Sequence, residues 1–190
     1  MWLRILAPLS NVFFSLIFTH LFIRPFQYSL VMPPGLIISD IKDVFAESLQ
    51  ILETAQEEVI LLIPSSMLPV FMSYGCAQKT KTFIQNGGVL RGITNISHAN
   101  LEVARARLSI GEDLRHTDRH HEFFLIVGDR HYSISSLDTG IEEFTLDTSV
   151  NSFWSENPTY AEYLRASFEN AWSHAIPAEE RIQELEQERH

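Results

Sequence analysis

EFFLIVGDRHYSISSLD, Glu122 to Asp138, is the stretch from which the fold is read. Phe123 to Val127 is an unbroken apolar run of strand-forming residues. Gly128-Asp129-Arg130 is a turn, and Tyr132 to Leu137 alternates into a second strand. Gly and Asp tolerate the backbone of a tight turn, so two β-rich runs joined in this way predict a hairpin.

Upstream, Ser39 or Asp40 caps a helix that carries Ile41, Val44, Phe45, Leu49 and Leu52 on one face. Val59 to Ile63, VILLI, ends at Pro64 and reads as a strand buried on both faces. A helix over 67–86 closes at Asn86-Gly87-Gly88, Val89 to Ile96 is the next strand, and Ser97 caps a helix that stops at Gly111. Leu114-Arg115-His116 is a short strand. Strands alternating with helices predict the α/β class, with a mostly parallel mixed sheet flanked by helices and the hairpin as its antiparallel part.

Downstream of the hairpin, residues 140–153 lack a steady period and read as a loop with one short strand at Glu143 to Leu146. Asn157 caps the best-formed helix, with Pro158 at its first position and a stripe of Tyr160, Tyr163, Leu164, Phe168, Ala171 and Trp172. The stripe predicts a core face or a dimer face. The tail after Pro177 is charged and helical in propensity, with Ile182 and Leu185 as the only seam for a coiled coil.

Charge divides the chain. Residues 1–32 hold Arg4, Arg24 and no acid, whereas residues 33–190 hold 12 basic and 24 acidic side chains. A net charge of −12 over that part repels phosphate backbones, so direct nucleic-acid binding is not expected. Residues 5–23 are apolar and just long enough to cross a hydrocarbon core. Residues 1–32 therefore read either as a membrane anchor or as sequence upstream of a start at Met32. The expected location is cytoplasmic, tethered to the inner membrane face in the first case. The domain expected is 33–176, with a charged helical tail at 177–190. The single cysteine, Cys76, excludes an intrachain disulfide and a cysteine zinc cage, and its apolar setting predicts a buried thiol.

EEVILLIPS, NGGVLRGIT, FFLIVGDRHYSIS and FENAWSHA, with helices between the first three, together resemble the phospholipase D-like domain over about residues 39–176. The likeness is to versions without the catalytic motif, which serve as sensor domains in archaeal signalling histidine kinases and TrmB-type regulators. An active member carries His-x-Lys-x4-Asp followed by Gly-Ser-x-Asn. Its histidine attacks phosphorus, and its lysine neutralises phosphate oxygens. Anchored on Asp129, the resemblance places Glu122 at the histidine and Phe124 at the lysine. Ser135, Ser136, Leu137 and Asp138 replace Gly-Ser-x-Asn. Starting from His121, His120 or His116 instead puts Phe123, Glu122 or Asp118 at the lysine.

The resemblance thus implies a retained scaffold without its chemistry: not an enzyme, with no cofactor, binding a small ligand or a second copy in a homodimer. The ligand-binding candidates are Glu122, Phe124, Asp129, Ser135, Ser136 and Asp138. The output domain, a kinase or transcription regulator, would lie on another chain or be lost by truncation. The rival from the residues themselves is a phosphodiesterase or metal site built on the cluster from His116 to His131, with His120, His121 and His131 as ligands. Alternation along a strand points His120 and His121 to opposite faces, and Arg115 and Arg119 repel a cation, which favours an exposed polar strand entrance. A plain dimerisation scaffold is the third reading.

Overall fold

The computed structural model describes residues 35–73, 75–119, 121, 123–137 and 149–188. The chain divides into two units, 1–34 and 35–190. The apolar segment 5–23 lies outside the described residues, as does the strand expected at 143–146. Among the described residues no helix is long and apolar enough to cross a membrane.

The elements of the second unit, in chain order, begin with strand β1 (Leu36–Asp40), helix α1 (Ile41–Thr54) and strand β2 (Glu58–Ile63). Helices α2 (Leu68–Ser73) and α3 (Cys76–Gln85) precede β3 (Val89–Thr94), and α4 (Leu101–Ser109) precedes β4 (Asp113–His116). The hairpin is β5 (Phe123–Val127) and β6 (His131–Leu137), followed by β7 (Ser149–Glu156). Helix α5 (Pro158–Trp172), strand β8 (Ile176–Pro177) and α6 (Ala178–Gln187) complete it. All eight strands form one sheet in the order β1-β7-β6-β5-β2-β3-β4-β8.

The α/β class with a mixed, helix-flanked sheet is as expected, but the balance inside the sheet differs. Only β2 with β3 and β3 with β4 pair in parallel, through the α3 and α4 crossovers. The remaining pairings among the described residues are antiparallel. The three-residue turn between β5 and β6 is too short to carry the chain back to the same end of the sheet, so it imposes an antiparallel pair there.

Alternation along β2 and β5 splits the core. Val59, Leu61, Ile63, Phe124 and Ile126 face α1 and α3, where Val44, Phe45, Ile51 and Phe83 complete one cluster. Ile60, Leu62, Leu125 and Val127 are equally buried on the other face, which α5 covers with Ala161, Leu164, Phe168 and Trp172. Asp40 caps α1 by accepting from the Lys42 amide at 2.8 Å, and Asn157 caps α5 through the Tyr160 amide at 3.2 Å.

Two parts of the sequence reading are corrected, and one strand is added to it. The end of the expected loop, 149–153, belongs to strand β7: Ser152 sits between Ser133 and Ser135 of β6, 3.0 and 2.8 Å from their hydroxyls, so buried serines satisfy one another across the ladder. Leu36–Asp40 is an edge strand beside β7. The C-terminal tail is not a free seam. Ala178, Ile182 and Leu185 are buried against Ile96, Leu101, Ala104 and Leu114 of the same chain, and Ile176-Pro177 pairs with the end of β4. An amphipathic helix with an apolar stripe this narrow lowers its free energy on the nearest apolar surface, here the face of α4 and β4.

Candidate functional site

The turn of the central hairpin lies at one end of the sheet. The Gly128 amide donates to the His131 carbonyl at 2.8 Å and closes it. The Asp129 carboxylate accepts from the Gln56 amide at 2.6 Å and lies 4.0 Å from the Arg165 guanidinium. Arg165 also pairs with the Glu58 carboxylate and donates to the Glu58 carbonyl at 3.0 Å. Glu58 in turn accepts from Arg91 Nε at 2.7 Å, and Arg91 pairs with Glu169 of α5. The Arg91 guanidinium stacks 5.3 Å from the Phe168 ring centroid and 5.1 Å from that of Trp172. The hydrogen bond from Arg91 holds the Glu169 carboxyl below its usual range. Asp129 therefore belongs to an ion-pair network that fastens α5 and the end of α1 to the sheet.

Ser135 and Ser136 are at the opposite end of the same hairpin, paired with Phe124 and Phe123. Four residues at about 3.4 Å each separate Phe123 from Val127, so roughly 14 Å of strand lies between the serines and the Asp129 turn. One small ligand does not reach both groups. Phe124 and Ser135 are fully buried, with Phe124 in the core under α1 and Ser135 bonded to Ser152. Ser136 is half-buried. Glu122, Asp138 and His120 lie outside the described residues.

Among the described residues the histidines do not form one cluster. His131 opens β6 at the Asp129 end, stacked on Trp154 with centroids 5.5 Å apart and its Nε2 3.7 Å from Glu156. His116 closes β4 at the other end. Its Nδ1 accepts from the Ile96 amide at 2.9 Å, so the proton of the neutral ring is on Nε2, 3.1 Å from the exposed Asp118 carboxylate. His121 packs edge-on against Phe123. Among the described residues no three His, Cys, Asp or Glu side chains are placed to hold a metal ion. Arg115, expected beside this cluster, points to the α5 face. It stacks 4.3 Å from the Trp172 ring centroid and donates to the Trp172 and Ala175 carbonyls at 3.0 and 3.4 Å.

The end of the sheet at His116 also gathers the carboxyl ends of the parallel strands, where open α/β sheets bind ligands. Asn95 donates to the Thr117 carbonyl at 3.0 Å, Asn100 donates to the Asn95 carbonyl at 2.9 Å, and Thr94 donates to the Ile63 carbonyl at 2.8 Å. These bonds tie the loops after β2, β3 and β4 to one another. The sequence reading missed Asn95 and Asn100, although Asn residues just after a strand are a signal for such bonds.

Buried ionisable groups elsewhere are structural in their surroundings. Burial pushes the Cys76 thiol up to about 11 and the Tyr132 phenol up to about 12. Arg107 of α4 donates to Glu112 at 2.5 Å with both side chains inaccessible, and burial raises the Glu112 carboxyl against the lowering effect of Arg107.

No family model matches the chain. No curated protein sequence matches it either. Solved structures match in fold. TrmBL2, described as an archaeal chromatin protein with a novel mode of DNA binding, superposes at a TM-score of 0.58 and 14% identity over 90% of this chain. The chain spans 62% of the TrmBL2 chain's length. Nuc from Salmonella typhimurium, a phospholipase D family member, matches at 0.61 and 14% identity over 77% of this chain and 98% of its own. NucT from Helicobacter pylori matches at 0.56 and 10% identity over 76% of this chain and 98% of its own. The expectation of no direct nucleic-acid binding is corrected here: TrmBL2, which shares this fold, is described as binding DNA, and net charge reports the average field rather than the local arrangement that meets a phosphate. The chain has the phospholipase D-like fold, one open mixed sheet flanked by helices.

Proposed function

We propose that this chain is a non-catalytic module of signal transduction or transcription control, a phospholipase D-like scaffold that binds and relays. The observation that carries the reading is Phe124. The resemblance puts the phosphate-binding lysine at this position, and here an aromatic ring is sealed in the core beneath α1. A neutral, inaccessible ring neutralises no phosphate charge. The separation of His116 from His131 to opposite ends of the sheet supports the same reading, since a nucleophile and its general acid must both reach one phosphate group. The relay element is α5 with β8 and α6, which Arg115 couples to β4 through Trp172 and Ala175.

The test is hydrolysis of bis-p-nitrophenyl phosphate by the full chain, with and without Mg2+, Mn2+ and Zn2+. The expected rate equals that of buffer. Turnover that disappears on His116→Ala, His121→Ala or His131→Ala establishes the hydrolase instead.

The likeness to TrmBL2 over 90% of the chain favours one further setting, a regulatory module that works on DNA. Salt-dependent retardation of a DNA duplex supports it. Free migration at low ionic strength removes it.

A further inference from the structure

We propose a binding site for a small organic ammonium in the hollow between the C-terminal ends of α1 and α3. This names a ligand for the non-catalytic reading and rests on it. Both helices precede parallel strands, so both run back along the sheet and end side by side at its Asp129 end, the turns at 55–57 and 86–88 leading into β2 and β3. The hollow between them has a volume of about 340 Å³. That is at the small end of ligand sites, about 300–1,000 Å³, and suits a compact amine rather than a nucleotide.

Its charge pattern selects a cation. A helix C-terminus is the negative end of the helix dipole, and two of them converge here, with part of that charge met by the Ala55 amide and the amides of 86–88. Neither last turn has a basic side chain to offset that charge. The Glu53 carboxylate lines the hollow, and Leu52 and Phe83 supply apolar and aromatic surface for the body of an amine. Among the described residues Lys79 is the only cation lining it, and it is paired with Glu53 while about half exposed. Exposed pairs of this kind are weak, so Lys79 acts as a resident competitor that a better-fitting ammonium displaces. Gln56 and Asn86 stand at the two helix ends, and the Gln56 amide is held by the Asp129 carboxylate. A ligand in the hollow therefore abuts the turn that ties the hairpin to α5.

The test is a 15N–1H NMR titration of the full chain with putrescine and with tetramethylammonium, using sodium acetate and glycine as anion and zwitterion. The proposal expects saturable shifts of the Gln56 and Asn86 amides with the two ammonium probes alone. Glu53→Gln weakens binding about threefold, as for loss of one half-exposed charge partner. Lys79→Met tightens it about threefold, because an exposed competitor is removed. Both side chains are about half exposed, so neither change threatens the fold. Shifts that stay linear with both ammonium probes, weaker binding in Lys79→Met, or equal binding of acetate or glycine each overturn it. Failure here leaves the diester assay as expected, whereas diester turnover alongside amine binding sinks the non-catalytic reading and leaves the site.

Discussion

Replacing Arg107 with Met removes the cation from a pair whose members are 1% and 0% exposed and lie 2.5 Å apart. Glu112 cannot turn to water. It packs against Gly92, where even a Cβ would collide with its carboxylate. Breaking a buried pair by deleting one partner costs about 3–5 kcal/mol, a large share of the about 5–15 kcal/mol that holds a domain together. At about 2–4 °C per kcal/mol for a domain of this size, the midpoint of thermal unfolding falls by about 6–20 °C. The sign of the pH dependence follows from the proton count. Burial raises the Glu112 carboxyl and Arg107 lowers it, so without Arg107 the folded-state value climbs further above the unfolded one. Between the two values the folded state holds a proton that the unfolded state lacks. Stability is then retained below the unfolded value and lost as pH rises through the folded one. The deficit of Arg107→Met relative to the parent is therefore expected to be larger at pH 8 than at pH 5. Urea unfolding followed by far-UV circular dichroism at both pH values measures it, with an unchanged denaturant slope showing that the effect is on stability. Adding Glu112→Leu removes the stranded carboxylate and restores most of the loss, because an apolar replacement of a buried pair is often neutral or better. A loss below about 1 kcal/mol at both pH values refutes the reasoning, since a buried charge would then have been abandoned at no cost.

Leu185→Ala is expected to cost about 2–5 kcal/mol, as for an ordinary core leucine, although a free charged tail would show almost nothing. Chemical denaturation measures that, and hydrogen exchange should speed up along α6. The Cys76 thiol, pushed up to about 11 by burial, should alkylate with iodoacetamide at pH 8 only as fast as the fold opens, so its rate should rise with urea; fast labelling in native buffer would contradict its placement. Glu169→Gln should cost a modest amount at pH 7, because Glu169 is half exposed. Its carboxyl is held low by Arg91, so the wild-type advantage is present above the ordinary carboxylate range and fades as pH falls through the depressed value. Urea titrations at pH 7 and pH 3 test the direction. Gly92→Ala drives a methyl group into the buried Glu112 carboxylate and should destabilise in the same assay.

How legible this protein is from its residues depends on whether local pattern and burial agree. Strands β2, β5 and β6 and helices α1 and α5 were readable because continuous apolar runs, a Gly-Asp turn and caps at Asp40 and Asn157 are local signals with local causes. Strand β7 was not. Ser152 and Ser155 occupy interior positions, and a serine reads as loop until a partner hydroxyl across the ladder satisfies it. The same limit applies to the candidate site. Spacing placed Asp129 and Ser135-Ser136 six or seven residues apart, as neighbours in the chain. A hairpin sends its turn and its open end to opposite ends of its strands, and the pairing of Phe123 with Ser136 fixes the serines at the open end. The apolar stripe of the last helix was visible in Ile182 and Leu185, but its partner was not, because the surface it covers is assembled from α4 and β4, some 70 residues earlier. Element type and most element boundaries thus follow from interactions within a few residues. Which polar groups meet, as Glu58 meets Arg91 and Arg165, was decided only when the sheet closed distant segments onto one another.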